Sequence, residues 1–169
     1  EHIQEPMVVH WLNESFRILC NGGVLRFIVP NIEDYLIAYD NKDAAYFNWI
    51  RGRHIYAHDS WLRMIVRAFA EPVVDNYTNE EIYEIYIQNT HEEFINFFIK
   101  EVNQIQNDKY LAPHTHKSAW TTKKLTKYLT DIGFNNIRIA SKKDSLINHF
   151  RLKTFDETRP HMSLVIEAS

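Results

Sequence analysis

The fold of this chain is decided by one stretch near its start, Asn21-Gly22-Gly23-Val24-Leu25-Arg26-Phe27-Ile28-Val29-Pro30-Asn31. Its centre is β-branched, aromatic or apolar apart from one arginine, and a proline closes it. This composition predicts a strand at residues 24–29 that is buried on both faces. The glycines before it predict the end of a helix, because glycine adopts the left-handed conformation without a steric penalty. Helix, tight turn and buried strand together indicate an α/β protein.

Helical periodicity occurs on both sides of this strand. Apolar residues at spacings of three and four predict one helix over residues 6–20, several helices between residues 32 and 107, and another over residues 122–131. Alternating apolar residues then predict strands at residues 136–141 and 162–168. Most of the helical sequence therefore lies between the first predicted strand and the second, as a large insertion over residues 31–121.

Charge and composition exclude several classes of protein. The 169 residues carry 19 Lys and Arg against 22 Asp and Glu, a formal charge of −3, and no basic run follows a nucleic-acid backbone. The first residues do not have the pattern of a secretion signal, and no run reaches the roughly 18 apolar residues of a membrane span. The lone cysteine, Cys20, suits a reducing compartment. We expect a cytoplasmic protein that binds neither nucleic acid nor membrane.

Four segments occur in a recognisable order: Glu1-His2-Ile3, then the helix and strand around Gly22-Gly23, then His116-Lys117 before Trp120, and a closing Ser163-Leu164-Val165-Ile166-Glu167-Ala168. In this order they resemble the second half of class I S-adenosylmethionine-dependent methyltransferases. By this resemblance residues 1–169 are the C-terminal portion of a methyltransferase-like domain. They would form a partial Rossmann-like sheet, strands five, six and seven, with the large helical insertion. The fifth strand of that fold pairs with the fourth on one side and the seventh on the other.

The resemblance also implies what this sequence leaves out. The family binds S-adenosylmethionine with a G-x-G turn after the first strand and an acidic residue after the second, and both precede the segment matched by Glu1-His2. This chain has only 4 glycines and no such pattern. We therefore expect the full-length parent to bind the cofactor, and this truncated chain to bind none and to be inactive alone.

Two residues at the start of the chain correspond to the family's cofactor cleft. Glu1 and His2 match the end of the fourth strand, where the resembling enzymes bind the cofactor. A frayed terminus is the alternative, and for these two residues it is the favoured one.

Three further residues correspond to the substrate side of the cleft. Asn31 follows the strand at residues 24–29 and would face substrate, although an asparagine before a helix ordinarily caps that helix, which is the favoured interpretation. His116 and Lys117 would lie at the mouth of the cleft. There His116 would act as a base or orient the substrate together with Lys117.

The pattern His114-Thr115-His116 raises the question of a metal site. Imidazole is a common metal ligand, and alternate residues of an extended segment point the same way. Two ligands do not make a site, however, and no flanking carboxylate or further histidine spacing indicates a third. We therefore predict that the chain holds no metal.

The insertion leaves the carboxyl end of the strand at residues 24–29, the end where open α/β sheets bind ligands, so we expect a cap over the substrate site. The parent reaction would be methyl transfer to a small-molecule or glycan-like substrate. The alternative is a non-enzymatic module whose helical insertion binds protein partners on a reduced α/β platform. We also expect a homodimer through the strand at residues 24–29, because the fourth strand that would cover its edge is missing.

Overall fold

The structure, a computed structural model, describes residues 1–51, 58–105, 115–152 and 162–169. The chain divides into two compact units. The sheet unit consists of residue 1, residues 3–31 and residues 120–169, and the helical unit consists of residue 2 and residues 32–119. No helix in the described part of the chain combines the length and apolarity needed to cross a membrane.

The described elements follow one another in an order that matches the predicted pattern closely. They are α1 (Glu5–Ile18), β1 (Leu25–Pro30), α2 (Ile32–Asp40), α3 (Ala44–Arg51), α4 (Trp61–Val74), α5 (Asn79–Ile87), α6 (His91–Gln104), α7 (Thr122–Ile132), β2 (Ile137–Ile139), a 3-10 helix (Asn148–Arg151) and β3 (Ser163–Ala168). The α/β class is therefore confirmed.

The sheet unit is built around a three-stranded sheet with the order β1-β3-β2. The last strand, β3, lies in the middle and is antiparallel to both neighbours. It pairs with β1 over the whole length of that strand, with Phe27 opposite Ile166. On its other side Arg138 of β2 lies opposite Glu167.

One face of this sheet carries the hydrophobic core of the sheet unit. Side chains alternate along a strand, so Leu164, Ile166 and Ala168 share this face and join the core cluster. Leu12 of α1 and Leu129 of α7, both 0% exposed, belong to the same cluster. Burying one such side chain contributes about 2 kcal/mol. The apolar residues whose spacing predicted α1 and α7 are therefore the residues that pack in this core.

Strand β1 differs from its prediction in burial. Only Val29 of its six residues is buried as a whole, and the other five are intermediate, although the Arg26 side chain itself is only 4% exposed. The prediction of a strand buried on both faces is wrong, because β1 lies at the edge of the sheet that the described residues form. Its continuous apolar run reflects its position against β3 and the core rather than burial from both sides.

The opposite face of the sheet carries buried charges centred on Glu167, whose side chain is 0% exposed. Arg26 Nη1 donates to Oε1 over 2.8 Å, and Arg138 Nη2 and the Leu146 amide each donate to Oε2 over 2.9 Å. Burial raises the pKa of Glu167, but hydrogen bonds from Ser145, the Leu146 amide and the two arginines outweigh it and lower the pKa to about 2. An ionised carboxylate therefore links all three strands.

Local capping signals set the helix boundaries in the helical unit. The Thr78 hydroxyl accepts a hydrogen bond from the Glu81 amide over 3.1 Å, and the Glu81 carboxylate accepts one from the Thr78 amide over 2.7 Å. Thr90 and Glu93 form the same capping box at the start of α6. Because each box begins a new helix, the helical sequence after residue 78 forms two helices.

Helix α4 is broken in its last third. Ala70 has φ −141° and ψ 39°, outside the helical region, and Pro72 lies within the following turn. Proline has no amide hydrogen, so the carbonyl of Ala68 has no donor four residues later. Phe69 and Val73 are nevertheless buried, at 2% and 1% exposure. The break is thus held by packing on both sides.

Candidate functional site

A small surface pocket with a volume of about 60 Å³ opens at the break in α4. It lies within the helical unit, and its lining includes Arg67, Glu71 and Pro72 from α4 together with Thr115 and His116. Helices are sharply bent where proline removes a hydrogen bond, and such breaks commonly line binding sites. The pocket brings a guanidinium, a carboxylate and an imidazole to one place.

Two arginines and two aspartates hold the wall of this pocket. Arg67 Nε donates to Asp59 over 2.6 Å, and its Nη1 and Nη2 donate to Asp75 over 3.2 and 2.9 Å. Arg63 Nη2 donates to Asp75 over 2.9 Å. The bonds to Asp75 and Asp59 raise the pKa of Arg67, and those from Arg67 and Arg63 lower the pKa of Asp75. Since Asp75 directly follows α4, these charge-assisted bonds join the two parts of the broken helix.

The structure brings His116 together with His2. Their ring centroids are 4.9 Å apart at an interplanar angle of 74°, an edge-to-face arrangement. The Nδ1 atom of His2 lies 3.2 Å from the carbonyl oxygen of Thr115. Both histidines belong to the helical unit. The residue that was expected to be a base therefore lines a pocket, and one expected cofactor residue lies beside it.

The other expected cleft residues, Lys117 and Glu1, do not line the pocket. Lys117 is half-buried, and its carbonyl accepts a hydrogen bond from Asn103 Nδ2 over 3.1 Å, but it does not belong to the lining of the pocket. Glu1 is half-buried and is grouped with the sheet unit. His114 lies outside the described residues, so the expectation that no metal is bound stays a prediction.

Asn31 is placed at the end of β1 with an unusual side chain. It is 8% exposed, and its Oδ1 is buried without a hydrogen-bond partner. Its amide donates to the carbonyl of Met162 over 2.9 Å, and its backbone forms a parallel bridge with Trp120. A capping asparagine accepts a hydrogen bond from the first turn of its helix through Oδ1. The favoured capping interpretation is therefore wrong for this side chain.

A buried acceptor without a partner is rare in folded proteins, because leaving it unpaired costs about 1–3 kcal/mol. Such unpaired acceptors occur most often where the atom binds a ligand or an ordered water. Asn31 Oδ1 is therefore an acceptor that a donor group of a ligand could satisfy, and its substrate-side role stays a prediction.

The sequence reasoning missed Arg67 and Glu71, which line the pocket. One signal could have found them. Pro72 stands inside a stretch whose apolar spacing is otherwise helical, and a proline in that position marks a break. Charged residues one turn before such a break are candidates for the wall of an opening.

Comparisons with known proteins identify no relative. No protein-family model, no curated protein and no solved structure matches the chain.

Proposed function

We propose that this chain is the C-terminal portion of a cytoplasmic class I S-adenosylmethionine-dependent methyltransferase, supplying the substrate-side wall and helical cap. The observation that carries the proposal is the pairing of β1 with β3. These strands are far apart in the chain, yet they pair from Leu25 opposite Ala168 to Pro30 opposite Ser163. This is the pairing of the fifth strand with the seventh that the resembled fold requires.

The order of the other elements supports the same assignment. In the sheet unit α1, a glycine turn and β1 follow one another, and α7 leads to β2 and then β3. The C-cap of α7 is Gly133, which adopts the left-handed conformation with φ 119°. The resemblance implies a helix and a turn before each outer strand. Helix α1 precedes β1 in this way, and α7 precedes β2.

The glycines in the described part of the chain do not fit the turn that would bind the cofactor. A methyltransferase turn needs glycines that let the backbone approach the ligand. Gly23 instead lies against its own helix end, because a Cβ there would come within 2.9 Å of the Cys20 carbonyl and the Leu19 side chain. Gly133 similarly lies against the ring of Phe16. These described glycines shape helix ends, so no step through the cofactor is derived from this chain.

Each unit contains one residue whose chemistry suits a methyl acceptor. Asn31 Oδ1 would accept a hydrogen bond from the acceptor's donor group and orient it. His116, which lines the pocket, would accept the proton that an oxygen or nitrogen nucleophile loses. Both contributions need a substrate with at least one N–H or O–H group, as small metabolites and glycans have.

One observation favours the alternative, a helical module that binds protein partners. Tyr83 and Ile87 lie one turn apart on α5 and are 48% and 53% exposed. Paired apolar side chains at this spacing are typical of helices that bind a partner. Two side chains make a small surface, however, and the sheet pairing is compatible with both functions.

The experiment that separates the two functions begins upstream of Glu1. The methyltransferase proposal requires the coding sequence there to specify a strand, a G-x-G turn and a helix, followed by a strand ending in an acidic residue. The complete encoded protein is then melted with and without S-adenosylhomocysteine. Ligand at about 100 times its Kd should stabilise the fold by about 2.7 kcal/mol. An upstream region without these elements, or an unchanged melting temperature, would reject the proposal.

A further inference from the structure

Helix α1 carries an exposed apolar stripe, formed by Met7, Trp11 and Ile18. These residues are spaced by four and seven positions, so they lie on one side of the helix. They are 57%, 47% and 70% exposed, whereas Val8 and Leu12 of the neighbouring side are buried in the core of the sheet unit. Single exposed apolar residues need no explanation, but a row of three on one helix is typical of an interaction surface.

This stripe continues onto the outer edge of the sheet. The ring centroids of Trp11 and Phe27 are 5.8 Å apart, and Phe27 belongs to β1. In the described part of the chain the sheet has the order β1-β3-β2, so one edge of β1 faces away from the sheet. An occupant of this surface therefore covers the side of a helix and the edge of a strand together.

The outer edge of β1 is complementary to itself. The Asn31 amide points towards the side of β3, so by alternation the backbone groups of Arg26 and Ile28 point outward. An antiparallel second β1 centred on Phe27 sets Arg26 of each copy opposite Ile28 of the other. Such a pair of residues exchanges two backbone hydrogen bonds. Pro30, which has no amide hydrogen, then falls near the end of the ladder, where proline is tolerated.

Charge does not oppose the approach of two such surfaces. Glu14 and Arg17, which flank the stripe on α1, form an ion pair over 2.9 Å and together have no net charge. Each surface of a two-fold dimer meets its own copy, so a net charge at the stripe would cause repulsion. A stable interface usually buries about 800 Å² on each partner, and a helix stripe adds apolar area to what a strand edge offers.

We propose that the stripe on α1 packs against the same stripe of a second copy, about a two-fold axis that passes through Phe27. The axis is perpendicular to the sheet, so both copies of α1 lie on the same face and run antiparallel. Trp11 lies near the axis, and Met7 of each copy faces the half of the other helix that ends at Ile18. The proposal does not depend on methyl transfer, because this surface belongs to the sheet unit alone.

The test measures the Kd of the dimer by sedimentation velocity of the 169-residue chain over a range of concentrations. Met7→Gln and Ile18→Gln each remove an apolar side chain from the stripe without changing the charge. Ile37→Gln is the matched control, because Ile37 is 45% exposed on α2 of the helical unit. All three side chains are exposed, so the variants should fold, and circular dichroism checks that they do.

We expect each α1 variant to raise the Kd about tenfold, because one substitution removes apolar contacts twice in a two-fold dimer. Ile37→Gln should leave the Kd unchanged. A wild-type dimer whose Kd is unaffected by either α1 variant would show that the β1 edges pair without the stripe, and this would overturn the proposal. A monomeric wild type, or a dimer weakened equally by Ile37→Gln, would overturn it as well.

Discussion

Arg26 Nη1 lies 2.8 Å from Glu167 Oε1, and the two side chains are 4% and 0% exposed. The pair joins the first strand of the sheet to the last, at positions that lie directly opposite in the register. A carboxylate buried this deeply is tolerated only when several donors surround it, and Arg138 with the Leu146 amide completes that set. The stability of the sheet unit should therefore depend strongly on one charge.

The first prediction concerns the removal of that charge. Glu167→Gln keeps the shape of the side chain but leaves Arg26 and Arg138 without their buried partner. We expect a loss of about 3–5 kcal/mol in the free energy of unfolding, measured by urea denaturation. The control is Glu14→Gln, which breaks an exposed ion pair with Arg17 and should leave the free energy of unfolding nearly unchanged. Similar losses in the two variants would contradict the prediction.

The second prediction is a dependence of stability on pH. The pKa of Glu167 is about 2 in the folded protein, below its ordinary value of 4.5. A lowered folded pKa contributes stability that is present above about pH 4.5 and is lost as the pH falls towards 2. At about 1.4 kcal/mol per pH unit the contribution is about 3 kcal/mol.

The comparison of wild type with Glu167→Gln isolates this contribution from other carboxylates. The difference in unfolding free energy between the two proteins should be constant from pH 7 to about pH 5 and should shrink steadily below pH 4.5. Urea denaturation at a series of pH values measures it. A difference that stays constant down to pH 2 would show that folding does not lower the pKa of Glu167.

The third prediction uses two buried polar side chains of the sheet unit. Asn31 Oδ1 has no partner, whereas the Thr121 hydroxyl accepts a hydrogen bond from the Lys124 amide over 3.1 Å as the cap of α7. Asn31→Leu should therefore stabilise the protein by about 1 kcal/mol, because it removes an unpaired acceptor. Thr121→Val should destabilise it by about 0.5–2 kcal/mol. Thermal melting of both variants gives the signs, and destabilisation by Asn31→Leu would mean that the amide has a partner.

The fourth prediction is self-association through β1, here with a second copy of the chain. The Asn31 amide donates to the carbonyl of Met162, which directly precedes β3. By alternation along β1, the Ile28 amide therefore points away from β3, to the outer edge. Wild type should sediment as a dimer in which two β1 edges pair. Ile28→Pro should be monomeric because it removes that outer donor, and Ile28→Ala should remain dimeric. A monomeric wild type would contradict the prediction.

Much of this fold could be predicted from residues that act locally. The capping box at Thr78 and the left-handed Gly133 are set by backbone sterics and short-range hydrogen bonds, and both were placed correctly. Gly22 is left-handed, but the prediction that the glycines end the first helix is wrong, because α1 already ends at Ile18 with an extended Leu19. The strand at residues 24–29 was predicted from its continuous apolar run, the one at residues 136–141 from alternation and the one at residues 162–168 from its β-rich composition. Their ends shifted by one or two residues because pairing with β3, rather than composition, decides where β1 and β2 end.

The candidate site was less predictable because it depends on contacts between distant residues. His116 was singled out by resemblance alone, and its position beside His2 follows from the folding of the helical unit. The role of Arg67 depends on Asp59 and Asp75, whose positions are fixed only once α4 has broken. Asn31 looked like a helix cap by residue type, and only tertiary structure showed that its amide oxygen accepts no such bond.

The central claim is that the cofactor site of a methyltransferase lies outside these 169 residues. Calorimetric titration with S-adenosylmethionine and S-adenosylhomocysteine tests it most directly, on this chain and on the complete protein encoded by the natural coding sequence. We predict no saturable binding by this chain at millimolar ligand and one-to-one micromolar binding, about −8 kcal/mol, by the complete protein. Micromolar binding by this chain alone, or none by the complete protein, would contradict the account.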